Sequence, residues 1–347
     1  MTHYLDTVLP GVGMRLGKVP IADLPTPVEP VRVVGRTLWV KHDDVSGPVY
    51  GGNKIRKLEY ILHRAKARNA TRVATFGAAA SNHALATAIV CRELGLDCTC
   101  FLAHQTKSEK VARALRIHAR LGTEVIYFGG DYRRRLETLR RFAQHRNCWI
   151  IPLGGSSWLG TVGFVNAAFE LAEQVARGDL PCPDLLYVAT GTMGTTAGLA
   201  LGLALSDLPT RIQAIRVTDD RFASPAALNR LIGKTAVMLR DAGAEIPNDI
   251  LTQIDVTYRD EFFAGGYAKF DDATVAAVDV ARRDAGLHLE TTYTGKAMAA
   301  ILSDIQSRDL RDKNILFWNT YNSRPLPDAG DADISSLPGE FDSYFRP

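Results

Sequence analysis

A lysine that follows two glycines has the clearest potential for chemistry in this chain of 347 residues. In Gly51-Gly52-Asn53-Lys54 the glycines allow a tight turn because neither carries a Cβ, and Asn53 is a favourable helix N-cap. Apolar residues then recur at spacings of three and four, which predicts that Lys54 lies in the first turn of a helix. There the helix dipole and the two basic residues that follow disfavour a charged amine, and a Schiff-base nucleophile requires a neutral one. The alternative is a solvated basic helix start.

A loop of small residues at 77–83 directly follows a predicted strand at 72–76. It ends in Ser81-Asn82-His83, where a helix is predicted to begin. These residues offer a hydroxyl, an amide and free backbone N–H groups to a ligand. An ordinary serine N-cap followed by a structural histidine is the alternative interpretation.

A second loop, Gly191-Thr192-Met193-Gly194-Thr195, follows the apolar strand predicted at 185–189. Glycine and threonine ahead of a helix are typical of a phosphate cradle. The loop is neither a Walker A sequence nor G-x-G-x-x-G, and no acidic residue lies at the distance that dinucleotide binding requires. A nucleotide-binding Rossmann protein is therefore disfavoured.

Composition excludes several classes of protein. The net charge of +3 is too small to indicate a nucleic-acid or membrane partner, and no apolar run of about 18 residues exists to span a membrane. Five cysteines without a C-x-x-C pair indicate neither a zinc site nor a disulfide framework, so no metal is expected. The N-terminus lacks a targeting pattern, and we expect a cytoplasmic protein.

Strands and helices alternate along most of the chain with short links, which predicts an α/β fold with parallel sheets. Residues 1–37 are rich in proline and are expected to form loops. The predicted strands are 38–41, 72–76, 98–102, 124–128, 149–151, 185–189, 211–217, 254–257 and 314–318. The predicted helices after that of Lys54 are 82–94, 107–121, 131–145, 162–177, 195–206, 225–242, 272–285 and 295–307. Ligands of such folds bind at the carboxyl ends of strands, so the loops there are the candidate sites.

Four segments together resemble a known family. They are residues 24–30 (Leu-Pro-Thr-Pro-Val-Glu-Pro), 41–44 (Lys-His-Asp-Asp), 51–54 and 293–298 (Tyr-Thr-Gly-Lys-Ala-Met). The chain resembles the pyridoxal-phosphate (PLP) enzymes of fold type II, in the branch of D-cysteine desulfhydrase and 1-aminocyclopropane-1-carboxylate (ACC) deaminase. The resemblance implies a tryptophan synthase β-like fold with two domains whose twisted, parallel-type sheets are flanked by helices. It implies a large PLP-binding domain at 1–53 and 164–347, a small α/β domain at 54–163, and an active site in the cleft between them.

The resemblance also implies a role for each candidate residue. Lys54 holds PLP as a Schiff base, the 191–195 loop binds its phosphate, Asn82 bonds its 3′-oxygen, and Thr320 lies near its pyridine nitrogen. Further residues are expected to line the substrate site: Ser81, Asn82 and His83 at the carboxylate, Tyr267 and Tyr293 at the reacting part, and Trp158 and Tyr321, which are bulkier than in the desulfhydrases.

The implied activity is removal of the Cα proton of a small amino acid, followed by β-elimination to a keto acid and ammonia. D-Cysteine, which gives pyruvate, sulfide and ammonia, is favoured over ACC because the chain carries His83 and Thr294 where ACC deaminases have glutamine and glutamate. The polar groups of Tyr321 and Asn322 favour a more polar substrate. ACC deaminase, L-cysteate sulfo-lyase, an amino-acid racemase and a binding protein without turnover remain alternatives. The family resemblance implies a homodimer.

Overall fold

Two sheets with flanking helices make up the part of the chain that this computed structural model describes, residues 3–129, 132–142, 147–307 and 310–346. The helices are α1 Tyr4–Val8, α2 Val12–Leu16, α3 Lys54–Ala67, α4 Asn82–Glu93, α5 Glu109–Arg120, α6 Tyr132–Phe142, α7 Trp158–Ala176, α8 Gly194–Leu205, α9 Pro225–Asp241, α10 Asp272–Ala285 and α11 Thr294–Ser307. The strands are β1 Val28–Val33, β2 Arg36–Lys41, β3 Arg72–Ala78, β4 Asp97–Ala103, β5 Glu124–Tyr127, β6 Cys148–Ile150, β7 Leu185–Thr190, β8 Arg211–Arg216, β9 Val256–Arg259 and β10 Ile315–Trp318. The predicted α/β fold with parallel sheets is confirmed.

The chain divides into two units. Unit 1 contains Met1–Tyr60 and Ser156–Arg324, and unit 2 contains Ile61–Gly155 and Pro325–Pro347. These limits differ from the expected domain boundaries, since unit 1 keeps the first half of α3 and the start of α7, and residues 325–347 belong to unit 2. The packing explains this: a Cβ on Gly163 of α7 would lie 2.1 Å from the carbonyl oxygen of Arg56 in α3. The two helix starts are therefore in direct backbone contact.

Unit 1 contains a six-stranded sheet in the order β1-β2-β10-β7-β8-β9. β1 pairs antiparallel with β2, and the other pairings are parallel; in β10, for example, Leu316 pairs with Trp39 of β2 and Leu186 of β7. The two central strands, β7 and β10, are apolar and almost completely buried, as expected where both faces of a parallel sheet are covered. Since β7 and β10 are parallel neighbours, the loops that follow them leave from the same edge of the sheet.

Unit 2 contains a four-stranded parallel sheet in the order β5-β4-β3-β6. Phe76 of β3 stacks on Phe101 of β4 with ring centroids 5.0 Å apart, and Phe142 of α6 meets Phe101 edge-on at 4.9 Å. The helix predicted at 131–145 is α6, although residues 143–146 lie outside the described part of the chain. These aromatic contacts close the core on the α6 side of the sheet.

The expectation of loops throughout residues 1–37 was wrong. This region contains the short helices α1 and α2 and the edge strand β1. Pro30 lies within β1 and pairs with Trp39 of β2. An edge strand tolerates proline because only one of its sides must donate to the sheet, and the proline-rich composition therefore concealed the strand.

A buried ion network holds the first half of α3, which belongs to unit 1. The guanidinium of Arg56 donates to both carboxylate oxygens of Asp43 and of Glu170, and Lys41 donates to Glu170 and, at 2.7 Å, to Gln174. Two cations and two carboxylates thus neutralise one another away from water, as buried charges require. Within the described helices, none has the length and apolar character needed to cross a membrane.

Candidate active site

Gly51 and Gly52 form the turn that presents Lys54 at the start of α3. Gly52 has a φ of 87°, in the left-handed region that favours glycine. A Cβ on Gly51 would lie 1.7 Å from the carbonyl oxygen of Asp44, so a larger residue does not fit there. The glycine pair is therefore required for the chain to reach Lys54 in this conformation.

The side chain of Asn53 connects the amine of Lys54 to a second loop. Lys54 Nζ donates to Asn53 Oδ1 at 2.7 Å, and Asn53 Nδ2 donates to Thr195 Oγ1 at 3.0 Å. Burial lowers the pKa of Lys54 to about 8, and the carboxylate of Glu290 partly opposes this effect. A fraction of the amine is thus neutral near pH 7, as a nucleophile or base requires.

The two basic residues after Lys54 do not act as the sequence suggested. The charge of Arg56 is matched by Asp43 and Glu170, so burial and not like charge is the main cause of the lowered pKa of Lys54. Lys57 is itself buried, and burial followed by the charge of Lys54 lowers its pKa well below the ordinary value. A second perturbed lysine therefore lies one helical turn from the first.

The loop after β7 forms a small cradle of hydrogen-bond donors at the start of α8. Met193 adopts a φ of 69°, and α8 begins at the next residue, Gly194. Gly194 N donates to Ser156 Oγ at 3.1 Å, and Lys57 Nζ donates to the same oxygen at 3.2 Å. Thr192 Oγ1 lies 2.7 Å from that oxygen. A helix N-terminus and an amine that converge on one small oxygen are the donors that an anionic oxygen needs.

Lys57 and Ser156 were missed as site residues by the sequence analysis. Lys57 could have been found, because a residue three positions after Lys54 lies on the same face of a helix. Ser156 gave no comparable signal, since it reaches Gly194 across 38 positions of sequence.

Two tyrosines form a hydroxyl pair in unit 1. Tyr267 and Tyr293 have their hydroxyl oxygens 2.7 Å apart. Burial raises the pKa of both phenols above the ordinary value, so both are protonated at neutral pH.

The carboxylate of Glu290 accepts the backbone N–H groups of Thr292 and Tyr293, each at 2.8 Å, and of Thr294 at 3.1 Å. Glu290, which the sequence analysis also missed, thereby caps α11 and supplies the negative charge that acts on Lys54.

Thr294 and Thr320 have fixed positions at the ends of their elements. Thr294 is buried, and its Oγ1 accepts the backbone N–H of Glu290 at 3.1 Å. Thr320 lies two residues after the end of β10, and its carbonyl oxygen accepts the N–H of Asn53 at 3.1 Å. This second bond ties the end of the sheet to the turn that carries Lys54.

The three bulky or polar residues that depart from the family pattern have different positions. Asn322 is buried, and its Oδ1 accepts the N–H of Gly51 at 2.6 Å while its Nδ2 donates to the carbonyl of Arg324 at 2.9 Å. Its amide therefore holds the glycine turn, and its expected role toward a substrate stays a prediction. Tyr321 is half-buried, with its ring centroid 5.8 Å from that of His288. Trp158 is 40% exposed at the first position of α7.

Unit 2 carries the remaining predicted residues at the start of α4. Ser81 is the N-cap, and its Oγ accepts the N–H of Ala84 at 3.3 Å. Asn82 is the first residue of the helix, and His83 is buried with its Nε2 2.9 Å from the hydroxyl oxygen of Thr75. The capping role and this histidine contact agree with the structural alternative for Ser81 and His83, and their roles toward a ligand stay predictions.

Comparison with known proteins gives consistent matches. The family described as pyridoxal-phosphate dependent enzyme matches residues 17–320. A D-cysteine desulfhydrase of Salmonella choleraesuis (strain SC-B67) is 33% identical over 319 residues, covering 88% of this chain and 94% of that protein. A solved ACC deaminase homologue has a TM-score of 0.74 at 29% identity, over 90% of this chain and 94% of its own. Maize serine racemase shares the fold, with a TM-score of 0.60 at 18% identity over 93% of this chain and 94% of its own.

Proposed function

Because the chain belongs to the pyridoxal-phosphate dependent enzymes, we propose that it is a lyase that converts D-cysteine and one water molecule into pyruvate, hydrogen sulfide and ammonia. The geometric observation that carries this proposal is the Asn53 bridge between the amine of Lys54 and the hydroxyl of Thr195. It joins a reactive amine to an anion cradle, the two features that PLP needs. The choice of D-cysteine is supported by the similarity to desulfhydrases over most of both chains.

The residues of unit 1 fit the phosphate of PLP. A Cβ on Gly194 would lie 2.7 Å from Ser156 Oγ and 2.9 Å from Lys57 Nζ, so the glycine leaves a space bounded by hydrogen-bond donors. In the proposal, the backbone of residues 191–195, the hydroxyl of Thr195 and the amine of Lys57 bind the phosphate, and Lys54 holds the cofactor covalently. Thr320 and Asn82 contact its ring.

When bound, PLP acts as an electron sink that makes the Cα–H bond of an amino acid acidic. The chain supplies the groups that handle protons. Once the amino group of the substrate has displaced it from the cofactor, Lys54 Nζ would accept the Cα proton, which the pKa of about 8 of its free amine allows near neutral pH. The phenols of Tyr267 and Tyr293 remain protonated because burial raises their pKa, so the pair can deliver a proton to the sulfur that leaves Cβ.

The remaining assignments are also proposals. Ser81 and His83 bind the substrate carboxylate at the start of α4, where backbone N–H groups and the helix dipole favour an anion. Tyr321 and Trp158 shape the part of the pocket that receives the Cβ substituent. In the proposal the protein acts in the cytoplasm, and it forms a homodimer, as the family resemblance implies.

The test compares D-cysteine, L-cysteine, L-cysteate, D-serine and ACC at equal concentration with the PLP-loaded protein. Keto acid, ammonia and sulfide are followed, and Lys54→Ala serves as the inactive control. We expect D-cysteine to be the best substrate, with equal amounts of pyruvate and sulfide.

Faster turnover of ACC than of every β-substituted amino acid would contradict the desulfhydrase assignment in favour of ACC deaminase. A change in the visible spectrum with each amino acid, but no keto acid from any of them, would instead indicate a racemase or a binding protein.

A further inference from the structure

Tyr267 lies in an irregular loop, residues 260–270, between β9 and α10. Three residues of this loop have positive φ: Ala264 at 58°, Gly265 at 71° and Ala268 at 60°. Alanine rarely adopts this region, and such residues persist when contacts from outside the loop fix them. The position of the Tyr267 hydroxyl therefore depends on neighbouring elements that hold the loop.

Three of these contacts converge on Phe263. Lys296 Nζ donates to the carbonyl oxygen of Phe263 at 2.6 Å and lies 5.6 Å from the centroid of its ring. The guanidinium carbon of Arg216 lies 4.3 Å from the same centroid. The backbone and the ring of Phe263 are thus both held by cations, through a charge-assisted hydrogen bond and two cation–π contacts.

The same helix start contacts the loop at a second point. Lys296 is the third residue of α11, and Tyr293, immediately before the helix, shares its hydroxyl hydrogen bond with Tyr267. The start of α11 therefore contacts the loop at two points: Lys296 binds Phe263, and Tyr293 binds Tyr267.

A buried lysine in the first turn of a helix is an unfavourable choice for the stability of that helix. The dipole opposes a cation there, and burial removes its hydration. Burial lowers the pKa of Lys296 to about 8. The negative charges of Asp271 and Glu290 act to raise this pKa, whereas the positive charge of Arg216 lowers it further. A neutral, shorter side chain would make α11 more stable. We therefore attribute the presence of a lysine at this position to its contact with Phe263.

We propose that Lys296 is a positioning residue, which fixes the carbonyl and ring of Phe263 and thereby holds the hydroxyl of Tyr267 against that of Tyr293. This inference rests on the proposed function, because it is there that the two phenols act on the leaving group. Lys296 itself has no role in binding the cofactor, so its loss reduces turnover and leaves PLP content unchanged.

A double-mutant cycle tests the route of action in the PLP-loaded protein. Lys296→Met is expected to lower kcat for D-cysteine by about 10- to 100-fold, the usual effect of misplacing a reacting group by about 1 Å. If Lys296 acts through Tyr267, the same substitution in a Tyr267→Phe background causes almost no further loss, because the hydroxyl that it positions is already absent. If the loss of kcat in the double variant equals the product of the losses in the two single variants, the proposal is overturned.

Hydrogen–deuterium exchange of the peptide that covers residues 260–270 gives a readout that needs no turnover. Exchange should be faster in Lys296→Met than in the parent, and unchanged in Lys269→Met, which removes an exposed lysine from the same loop. Unchanged exchange in Lys296→Met would overturn the inference even if the enzyme proved to be a desulfhydrase. Inactivity of the parent toward D-cysteine would overturn the proposed substrate, while the exchange experiment would still decide whether Lys296 holds the loop.

Discussion

The carboxamide of Asn53 accepts a hydrogen bond from the amine of Lys54 at 2.7 Å, although the two residues are adjacent in sequence and the amide was expected to cap the helix. The other end of the same amide donates to Thr195. Asn53 thus connects the proposed covalent site to the proposed phosphate site through two hydrogen bonds of one side chain.

Reduction of the PLP-loaded protein with borohydride, followed by peptide mapping, is expected to attach the pyridoxyl group to Lys54. Lys57 provides an internal comparison, because it is also buried, also has a lowered pKa and lies three residues away. Lys54→Ala should lose the violet absorbance of the bound cofactor and retain the far-ultraviolet spectrum of the parent. Attachment of the pyridoxyl group to Lys57 in the parent protein would show that Lys57, and not Lys54, is the covalent site of the cofactor.

Gly194→Ala should weaken PLP binding, because its Cβ would lie 2.7 Å from Ser156 Oγ and 2.9 Å from Lys57 Nζ. Loss of one charge-assisted hydrogen bond corresponds to about a 10- to 100-fold higher Kd. The control is Gly233→Ala on α9, where an added Cβ meets no atom of the described part of the chain within 4 Å. Fluorescence titration with PLP measures both, and equal affinities in the two variants would place the phosphate elsewhere.

Sequence patterns predicted those features that depend on local spacing or continuous burial. The apolar run ahead of Gly191 identified β7, and the three- and four-residue spacing after Lys54 identified α3. Patterns failed where a long-range contact decides the conformation. Ser156 reaches Gly194 across 38 positions, and Asn322 reaches Gly51 across 271, so neither partner could be deduced from its neighbours in sequence.

Glu170→Gln should destabilise the fold by about 3 to 5 kcal/mol at pH 7, since it removes one carboxylate from a buried network and leaves cations unmatched. Burial alone would raise the pKa of Glu170, but the charges of Arg56 and Lys41 hold it at about 2, below the ordinary value of 4.5. The stabilisation is therefore present above about pH 4.5 and is lost as the pH falls toward 2. Urea unfolding measures this, with Glu173→Gln on the same helix as the control. Similar losses in both variants would contradict a special role for Glu170.

His118 of α5 is buried, and among the residues that the structure describes neither of its ring nitrogens has a hydrogen-bond partner. Burial lowers its pKa to about 4 from the ordinary 6.5, so the folded state holds the neutral ring while the unfolded state takes up a proton. Stability should therefore fall between pH 6.5 and 4, by an amount on the order of 3 kcal/mol. In His118→Leu this part of the pH dependence should disappear. His63→Leu, a substitution at a half-buried position of α3, is the comparison, and an unchanged acid limb in His118→Leu would refute the assignment.

Asn322 and Tyr321 should have separable effects on substrate choice. Asn322→Ala removes the acceptor for the Gly51 N–H, so it loosens the turn before Lys54 and should lower turnover of every substrate by a similar factor. Tyr321→Phe removes a polar group that can face the Cβ substituent, and an unmatched polar group in a pocket discriminates strongly between substrates. It should therefore change the ratio of kcat/KM for D-serine to that for D-cysteine. Measuring both substrates with both variants tests the distinction. A changed ratio in Asn322→Ala, with an unchanged one in Tyr321→Phe, would return Asn322 to the substrate pocket and remove Tyr321 from it.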